Sequence, residues 1–483
     1  MKGIQNLKPE RLWYYFSKLC EIPRPSKHEK KVIDYIENFA VQNGLDYKID
    51  QTNNIIIKKP AKDGNEDKPI VVLQSHVDMV PQKNNDKKHD FLKDPIIPVI
   101  DGEWIRADKT TLGADNGIGV AAMMAILESD TISHGPIEAL FTIDEETGMT
   151  GAFYLEDNFV EGRILLNLDS EEDETICIGC AGGMDANIKF HYIEEAIPEN
   201  SCAFEIIVKG LKGGHSGIDI NKERGNAIKI LNRILWHASK NFGLRLSNIE
   251  GGSLRNAIPR ESKAVFIIDK EAEDDFKLFF DDKVKTIQSE FEFNDPGLEI
   301  LLNETDQPYT LINANIQHKL INAIYACPNG VIQMSQNMPG VVETSTNLAS
   351  ISMNNGEIII QCLLRSAIDS AKRSLANMMD SVFTLAGADI SFEGEYPGWK
   401  PVPDSEILKI TSEVFRKENG KDPEIEVIHA GLECGIIGAK YSGIQMVSFG
   451  PSITGAHSPD EKVHINSVLK FWNVLVKILE SIK

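Results

Sequence analysis

The chain has 483 residues, 42% of them hydrophobic, and 72 acidic side chains against 50 basic ones give a formal net charge of −22. That length exceeds what one hydrophobic core usually supports, so two or more domains are expected. The charge repels a phosphate backbone, which makes nucleic acid a poor partner, and no stretch approaches the roughly 18 apolar residues of a membrane span.

The N-terminal segment lacks an apolar signal region of about 7–15 residues, which predicts a cytoplasmic protein. Seven cysteines, an odd number spread over a long chain, suggest no disulfide framework. Cys177 and Cys180 form a CxxC without a second Cys or His pair at zinc-ribbon spacing, and they read as buried small hydrophobes in a strand.

From Pro9 to Ala40 the pattern predicts two helices interrupted at EIPRPS, with Ser26 capping the second. Strands are expected at 54–58, 70–74, 137–143 and 163–168, and a helix rich in Ala, Met, Ile and Leu at 116–129. This alternation implies an α/β domain with buried strands. It returns near the C-terminus as a helix at 405–416, strands at 425–428 and 445–449, and a helix at 467–482. The first and last parts therefore form one discontinuous domain, residues 1–185 and 396–483, expected to hold a central mixed sheet flanked by helices.

The insertion, residues 186–395, changes character towards α+β. Strands at 203–208 and 264–268 flank a helix at 225–239. A second cycle is expected from a strand at 298–302, a helix at 311–327, a strand at 357–364 and a helix at 370–386. Gly252–Pro259 and Thr344–Ile351 both read as small-polar turns leading into a strand, which suggests an internal duplication of a βαββαβ-like unit.

Acids and imidazoles collect at the strand ends. In SHVDM, His76 and Asp78 follow an apolar run and point to the same side at period two, so the ring can meet a metal while the carboxylate orients it. In LGADNGIG, Asp115 lies among glycines just before a helix; it can reach inward as a ligand, or Asp115 or Asn116 can simply cap the helix. In DEETG, adjacent acids repel unless cations neutralise them, which allows Glu146 to bind metal while Glu145 acts as general base; a solvated acidic turn is the plainer alternative. Asp169 closes another apolar run, and His457 supplies a second imidazole. In open α/β sheets ligands bind outside the strands' carboxyl ends, and this N/O donor set suits Zn²⁺ best, with Mn²⁺ or Co²⁺ compatible.

Taken together, SHVDM, LGADNGIG, DEETGMTGA, NLDSEE, GGHSG and GAHSPDE resemble the dinuclear zinc peptidase and deacylase family. Their order and the long middle segment resemble its aminoacyl-histidine (Xaa-His, cytosolic non-specific) dipeptidase branch, from about residue 10 to the C-terminus. The resemblance implies two divalent metal ions, with Asp115 bridging them, His76 and Asp169 completing one site, and Glu146 and His457 the other. It implies Glu145 as general base and Asp78 as support for His76. It makes the insertion a lid and dimerisation domain, with His215 of GGHSG stabilising the carbonyl oxygen, Asn256 and Arg365 gripping the substrate's C-terminal carboxylate, and Gly431 lining the pocket through its backbone. The expected activity is hydrolysis of dipeptides by a homodimer. An N-acyl amino-acid deacylase or tripeptidase would share the metal residues, and a non-catalytic metal-dependent binding protein would show no turnover.

Overall fold

Short apolar runs build the centre of the first sheet, where the strands Val71–His76 and Ile137–Thr142 are buried on both faces, while the edge strands Asp46–Ile49 and Glu424–Ile428 are partly exposed. In the computed structural model, which describes residues 3–62 and 64–483, the chain divides into two units. The first comprises Met1–Gly179, Trp399–Val427 and Leu432–Lys483; the second comprises Cys180–Gly398 and Ile428–Gly431.

The first unit carries an eight-stranded mixed sheet. At its centre four strands run parallel as neighbours, in the order Ile137–Thr142, Val71–His76, Ile164–Asn167 and Gln445–Ser448. The two central strands that open the set, Val71–His76 and Ile137–Thr142, are buried at every position. The helix Ala114–Glu128 is apolar all round, and every residue but its last is buried. Such a helix belongs inside a core, and it packs between the helix Glu10–Cys20 and the strand Val71–His76. Its first residues, Asp115 and Asn116, have non-helical backbone angles.

The second unit is antiparallel throughout its large sheet. Eight of its nine strands lie in the order Glu299–Glu304, Ser201–Lys209, Ser262–Asp269, Arg245–Gly251, Val342–Asn354, Glu357–Ser366, Gly182–His191, Asp389–Tyr396, and the ninth, Gly330–Met334, pairs with Val342–Asn354 off this path. Along the path either half shows the same arrangement: counted along the chain without Gly330–Met334, each runs fourth, first, third, second from its outer edge to the centre, where Gly251 meets Ile351. The helices Ala227–Asn241, Glu273–Glu290, Ala314–Ala326 and Asp369–Leu385 connect these strands. One apolar core, centred on residues such as Phe204, Phe266, Leu231 and Phe383, joins helices and sheet.

Several expectations need correction. Ser26 does not cap the second helix, which begins at Lys30 after Glu29; its hydroxyl donates to Asp78 Oδ2 at 2.8 Å. Leu311–Ile312 is a short strand paired with Glu194–Glu195, and the helix starts only at Ala314. The segment Thr344–Ile351 is no turn but the middle of the strand Val342–Asn354. The strand at Glu299–Glu304 does not open a second cycle; it pairs with Ser201–Lys209 and closes the first. The helix Glu273–Glu290 and the strands Arg245–Gly251 and Gly182–His191 are additions that the hydropathy pattern did not reveal. Among the described residues, no helix is long and apolar enough to cross a membrane.

Candidate active site

The carboxyl ends of the four parallel strands, with the start of the helix Ala114–Glu128 for Asp115, deliver the first unit's acids and imidazoles to one place. His76 is the last residue of its strand and is buried. Its Nε2 lies 3.1 Å from Asp115 Oδ1 and 3.2 Å from Asp169 Oδ1, and its Nδ1 faces Asp78 Oδ1 at 3.3 Å. Burial disfavours the charged ring, yet Asp169, Asp115 and Asp78 outweigh it and raise the His76 pKa well above its ordinary value. His457 Nε2 sits 3.2 Å from Asp115 Oδ2 and 2.9 Å from Glu146 Oε2, and these two carboxylates push its pKa up to about 11. Asp115 thus stands between the two imidazoles, one oxygen toward each, and its pKa is lowered by them in spite of its burial.

Asp78 has a wider task than orienting His76. Its Oδ1 accepts from the Glu145 N–H at 3.1 Å and its Oδ2 from the Glu146 N–H at 3.3 Å, in addition to the Ser26 hydroxyl. One buried carboxylate therefore pins both the imidazole and the turn that carries the two glutamates. The Glu145 side chain takes part in none of the ion pairs that tie up Glu146, Asp115 and Asp169. Burial raises its pKa well above the ordinary range; His76 opposes, and Asp169, Glu433 and Glu146 add to the rise. A carboxyl in that state suits proton transfer.

Two residues without a predicted role, Arg24 and Glu461, and one predicted only as a possible helix cap, Asn116, hold this arrangement in place. Arg24, from EIPRPS, is buried and donates to the carbonyls of Val77 at 2.7 Å and Asp78 at 2.9 Å, and to that of Gly113. Glu461, from GAHSPDE, receives the backbone N–H groups of Leu112 (2.7 Å), Gly113 (2.9 Å), Ala114 (2.7 Å) and Asp115 (3.3 Å). Asn116 does not cap the helix; it donates to the Leu168 carbonyl at 2.8 Å and to Asp169. The glycine three residues on follows from this, because a Cβ on Gly119 would stand 2.1 Å from Asn116 Oδ1. A charged residue in a proline-rich turn and an acid after a loop histidine were the available signals for Arg24 and Glu461.

The donor set fits a bound cation. Five carboxylates, Asp78, Asp115, Glu145, Glu146 and Asp169, surround two imidazoles, and both imidazoles are drawn towards protonation. That surplus of negative charge is what divalent ions neutralise, displacing protons as they bind. Ligand atoms of His76, Asp115 and Glu146 lie within 4.8 Å of one another, a spacing that can hold a metal ion.

The remaining candidates lie in the second unit. His215 pairs with Ala257, and its Nδ1 accepts from the N–H groups of Gly217 (3.2 Å) and Ile218 (3.1 Å), which leaves the proton on Nε2. Burial and the Arg365 charge lower its pKa, so the neutral ring is favoured. The Asn256 main-chain carbonyl accepts the Ser216 N–H at 2.8 Å. Arg365 is buried, with Nη1 donating to the Tyr396 hydroxyl at 3.2 Å and Nε without a partner among the described residues. His429 completes the group: its Nε2 is 2.7 Å from Ser345 Oγ, and burial, then Arg365 and His215, push its pKa down to about 3. The last glycine of GGHSG is fixed by this packing, since a Cβ on Gly217 would lie 2.0 Å from the His429 carbonyl oxygen. Gly431 ends the short segment Ile428–Gly431 that belongs to this unit. Cys177 and Cys180 are buried in the strand Thr175–Cys180.

The chain is 45% identical over 482 residues to the cytosol non-specific dipeptidase of Escherichia coli (strain K12), covering 100% of this chain and 99% of that protein. Its fold matches the crystal structure of aminoacylhistidine dipeptidase from Vibrio alginolyticus with a TM-score of 0.96 and 47% identity, over 100% of this chain and 98% of that one. A tripeptidase from Staphylococcus aureus matches at a TM-score of 0.57 and 18% identity, over 99% of each chain, which is a likeness of fold alone. The family model for Peptidase family M20/M25/M40 matches residues 72–481, from the strand that bears His76 to the last helix, and the chain belongs to that family.

Proposed function

We propose that this protein is a metal-dependent dipeptidase that hydrolyses Xaa-His and other unblocked dipeptides, with Glu145 as general base. The observation that carries the reading is the division of labour at the strand ends: Asp115 and its neighbours engage both imidazoles, while the adjacent Glu145 carboxyl stays out of those pairs. The full-length similarity to proteins named as dipeptidases supports the substrate class, and it favours that reading over a tripeptidase or an N-acyl amino-acid deacylase.

His76, Asp169, Glu146 and His457 would hold two divalent ions, with Asp115 shared between them. Zn²⁺ suits the mixed donors best, and Mn²⁺ or Co²⁺ are compatible. When bound, the ions supply Lewis-acid polarisation of the scissile carbonyl and acidify the attacking water. Glu145 takes the water's proton and returns it to the leaving amine. Asp78 keeps His76 and the Glu145–Glu146 turn in position. His215 donates from Nε2 to the developing oxyanion. Asn256 and Arg365 grip the C-terminal carboxylate, for which a guanidinium is suited as a bidentate donor, and Gly431 contributes backbone to the pocket. The protein works in the cytoplasm as a homodimer joined through the second unit.

A panel of β-Ala-His, Gly-His, Leu-Leu, tripeptides and N-acetyl amino acids, assayed with metal-loaded and chelated protein, tests the reading. Metal-dependent cleavage confined to the dipeptides is expected. Preferential cleavage of the tripeptides or acetylated substrates would replace it.

A further inference from the structure

Beneath the acids and imidazoles lies a polar layer that the proposed chemistry does not use. Thr142, Gln74, Asn167 and Ser448 stand one on each of the four parallel strands, all buried. Their hydrogen bonds run in one direction. Ser170 and Ser448 hydroxyls meet at 2.8 Å, and Ser448 donates to Asn167 Oδ1 at 2.5 Å. Asn167 donates to Gln74 Oε1 at 2.6 Å, and Gln74 donates to Thr142 Oγ1 at 3.1 Å and to Glu433 Oε2 at 2.7 Å. Thr142 then donates to Glu433 Oε2 at 2.8 Å. Apart from a longer contact of the Thr142 hydroxyl to the Ser75 carbonyl at 3.4 Å, the donors run toward Glu433, which is fully buried and accepts from both Gln74 and Thr142 on one oxygen.

The other oxygen, Oε1, is buried and has no hydrogen-bond partner among the described residues. A buried carboxyl with one free oxygen favours its neutral form, with the proton on that oxygen. Burial, with Asp169 and Asp78 adding to it against His76 and the Thr142 hydrogen bond, pushes the Glu433 pKa up to about 8. The chain also touches the ligand layer directly, because Asn167 Oδ1 accepts the Asp169 N–H at 3.3 Å.

We propose that Glu433 is a positioning residue of the candidate active site. As terminal acceptor of this one-way chain, it fixes the mutual register of the strand ends that carry His76, Glu145 and Glu146, Asp169, and His457. The proposal rests on reading those residues as metal and base groups. Replacing Glu433 by an apolar side chain leaves one Gln74 hydrogen buried without an acceptor and the Thr142 hydroxyl with only its long contact to the Ser75 carbonyl at 3.4 Å, and chains of this kind weaken together. A glutamine offers the same acceptor oxygen and restores the chain's end.

The test uses the full-length protein, with zinc affinity read by competition against a chelating dye, melting temperature read on the metal-free form, and Leu-Leu kinetics read separately. Glu433→Leu is expected to weaken zinc binding by about 10–100-fold, the usual effect of losing a group that orients metal ligands. Its kcat should fall while KM changes little. Glu433→Gln should return zinc affinity to within about threefold of the parent, because the acceptor is kept. If Glu433→Leu lowers only the melting temperature and binds zinc as the parent does, the role is structural and the proposal fails. It fails equally if the glutamine variant is as impaired as the leucine one. Should Glu433→Leu not fold, Thr142→Val and Ser448→Ala decide: each should weaken zinc binding several-fold, and parent-like affinity in both overturns the proposal. Because zinc affinity is read without substrate, a parent protein that binds zinc but cleaves no dipeptide removes the functional reading alone.

Discussion

The two units place their polar side chains by opposite means. In the first, the ligands other than Asp115, which opens a helix, follow parallel strands, so a short apolar run and a turn announce them: His76 after Val71–Gln74, Asp169 after Ile164–Asn167. In the second, Arg365 lies inside a long antiparallel strand and is paired across to Ser345 in its neighbour. A strand end can be read locally, whereas a cross-strand neighbour depends on pairing between distant segments. The difference yields predictions for either side.

The largest effect is expected from the first unit. Exhaustive chelation should reduce dipeptide turnover to background, and returning Zn²⁺, Mn²⁺ or Co²⁺ should restore it to different extents, measured by rate against bound metal. Glu145→Gln comes next. It should lower kcat by about 10²–10⁴-fold, the range for a general base, while metal content by elemental analysis stays at the parent value. Loss of metal together with activity would make Glu145 a ligand instead.

How far the site was legible follows from where each side chain gets its partner. The pairing of His76 with Asp78 was visible because the two are two residues apart on a strand. The correct partner of Ser26 was not, because Asp78 comes from 52 residues away and competes with a local cap. Arg24 and Glu461 escaped for the same reason: each binds backbone that belongs to another motif. The strand Val342–Asn354 was misread because Thr344, Ser345, Thr346 and Asn347 look like turn residues, yet all four are buried and paired in the sheet. Threonine's β-branch was the overlooked signal. Glu299–Glu304 was assigned to the wrong cycle because only its pairing with Ser201–Lys209 fixes its place.

Asp78→Ala sharpens the comparison from within the first unit. The carboxylate holds both the His76 ring and the N–H groups of Glu145 and Glu146. Its loss should cost about 10–100-fold in metal affinity, and kcat should drop further than metal loading alone accounts for, since the base is displaced as well. Parent-like kcat at saturating metal would confine Asp78 to orienting the imidazole.

On the second unit, Arg365→Ala should lower kcat/KM for Leu-Leu by about 10–100-fold, since hydrogen bonds to charged groups contribute about 1.5–3 kcal/mol. The same variant should leave the already poor cleavage of Leu-Leu amide unchanged, because that substrate has no carboxylate to grip. Equal losses on both substrates would assign Arg365 to the fold, through Tyr396.

The smallest effect concerns stability and belongs to His429. Its folded pKa is pushed down to about 3 by burial, Arg365 and His215, whereas the unfolded chain holds a histidine at its ordinary value of 6.5. Below that ordinary value the unfolded state binds a proton that the folded state refuses, so stability is fully present above pH 6.5 and falls as the pH drops toward 3. The slope from one such group is at most about 1.4 kcal/mol per pH unit. Comparing denaturant unfolding of the parent and of His429→Gln between pH 7 and 4.5 isolates it, because the amide can still meet Ser345 Oγ but does not titrate. The variant should lose less stability across that range than the parent. Equal acid sensitivity in both proteins would place the acid-labile step elsewhere than His429, and not at the imidazoles of His76 and His457, whose raised pKa values make the folded state gain stability as the pH falls.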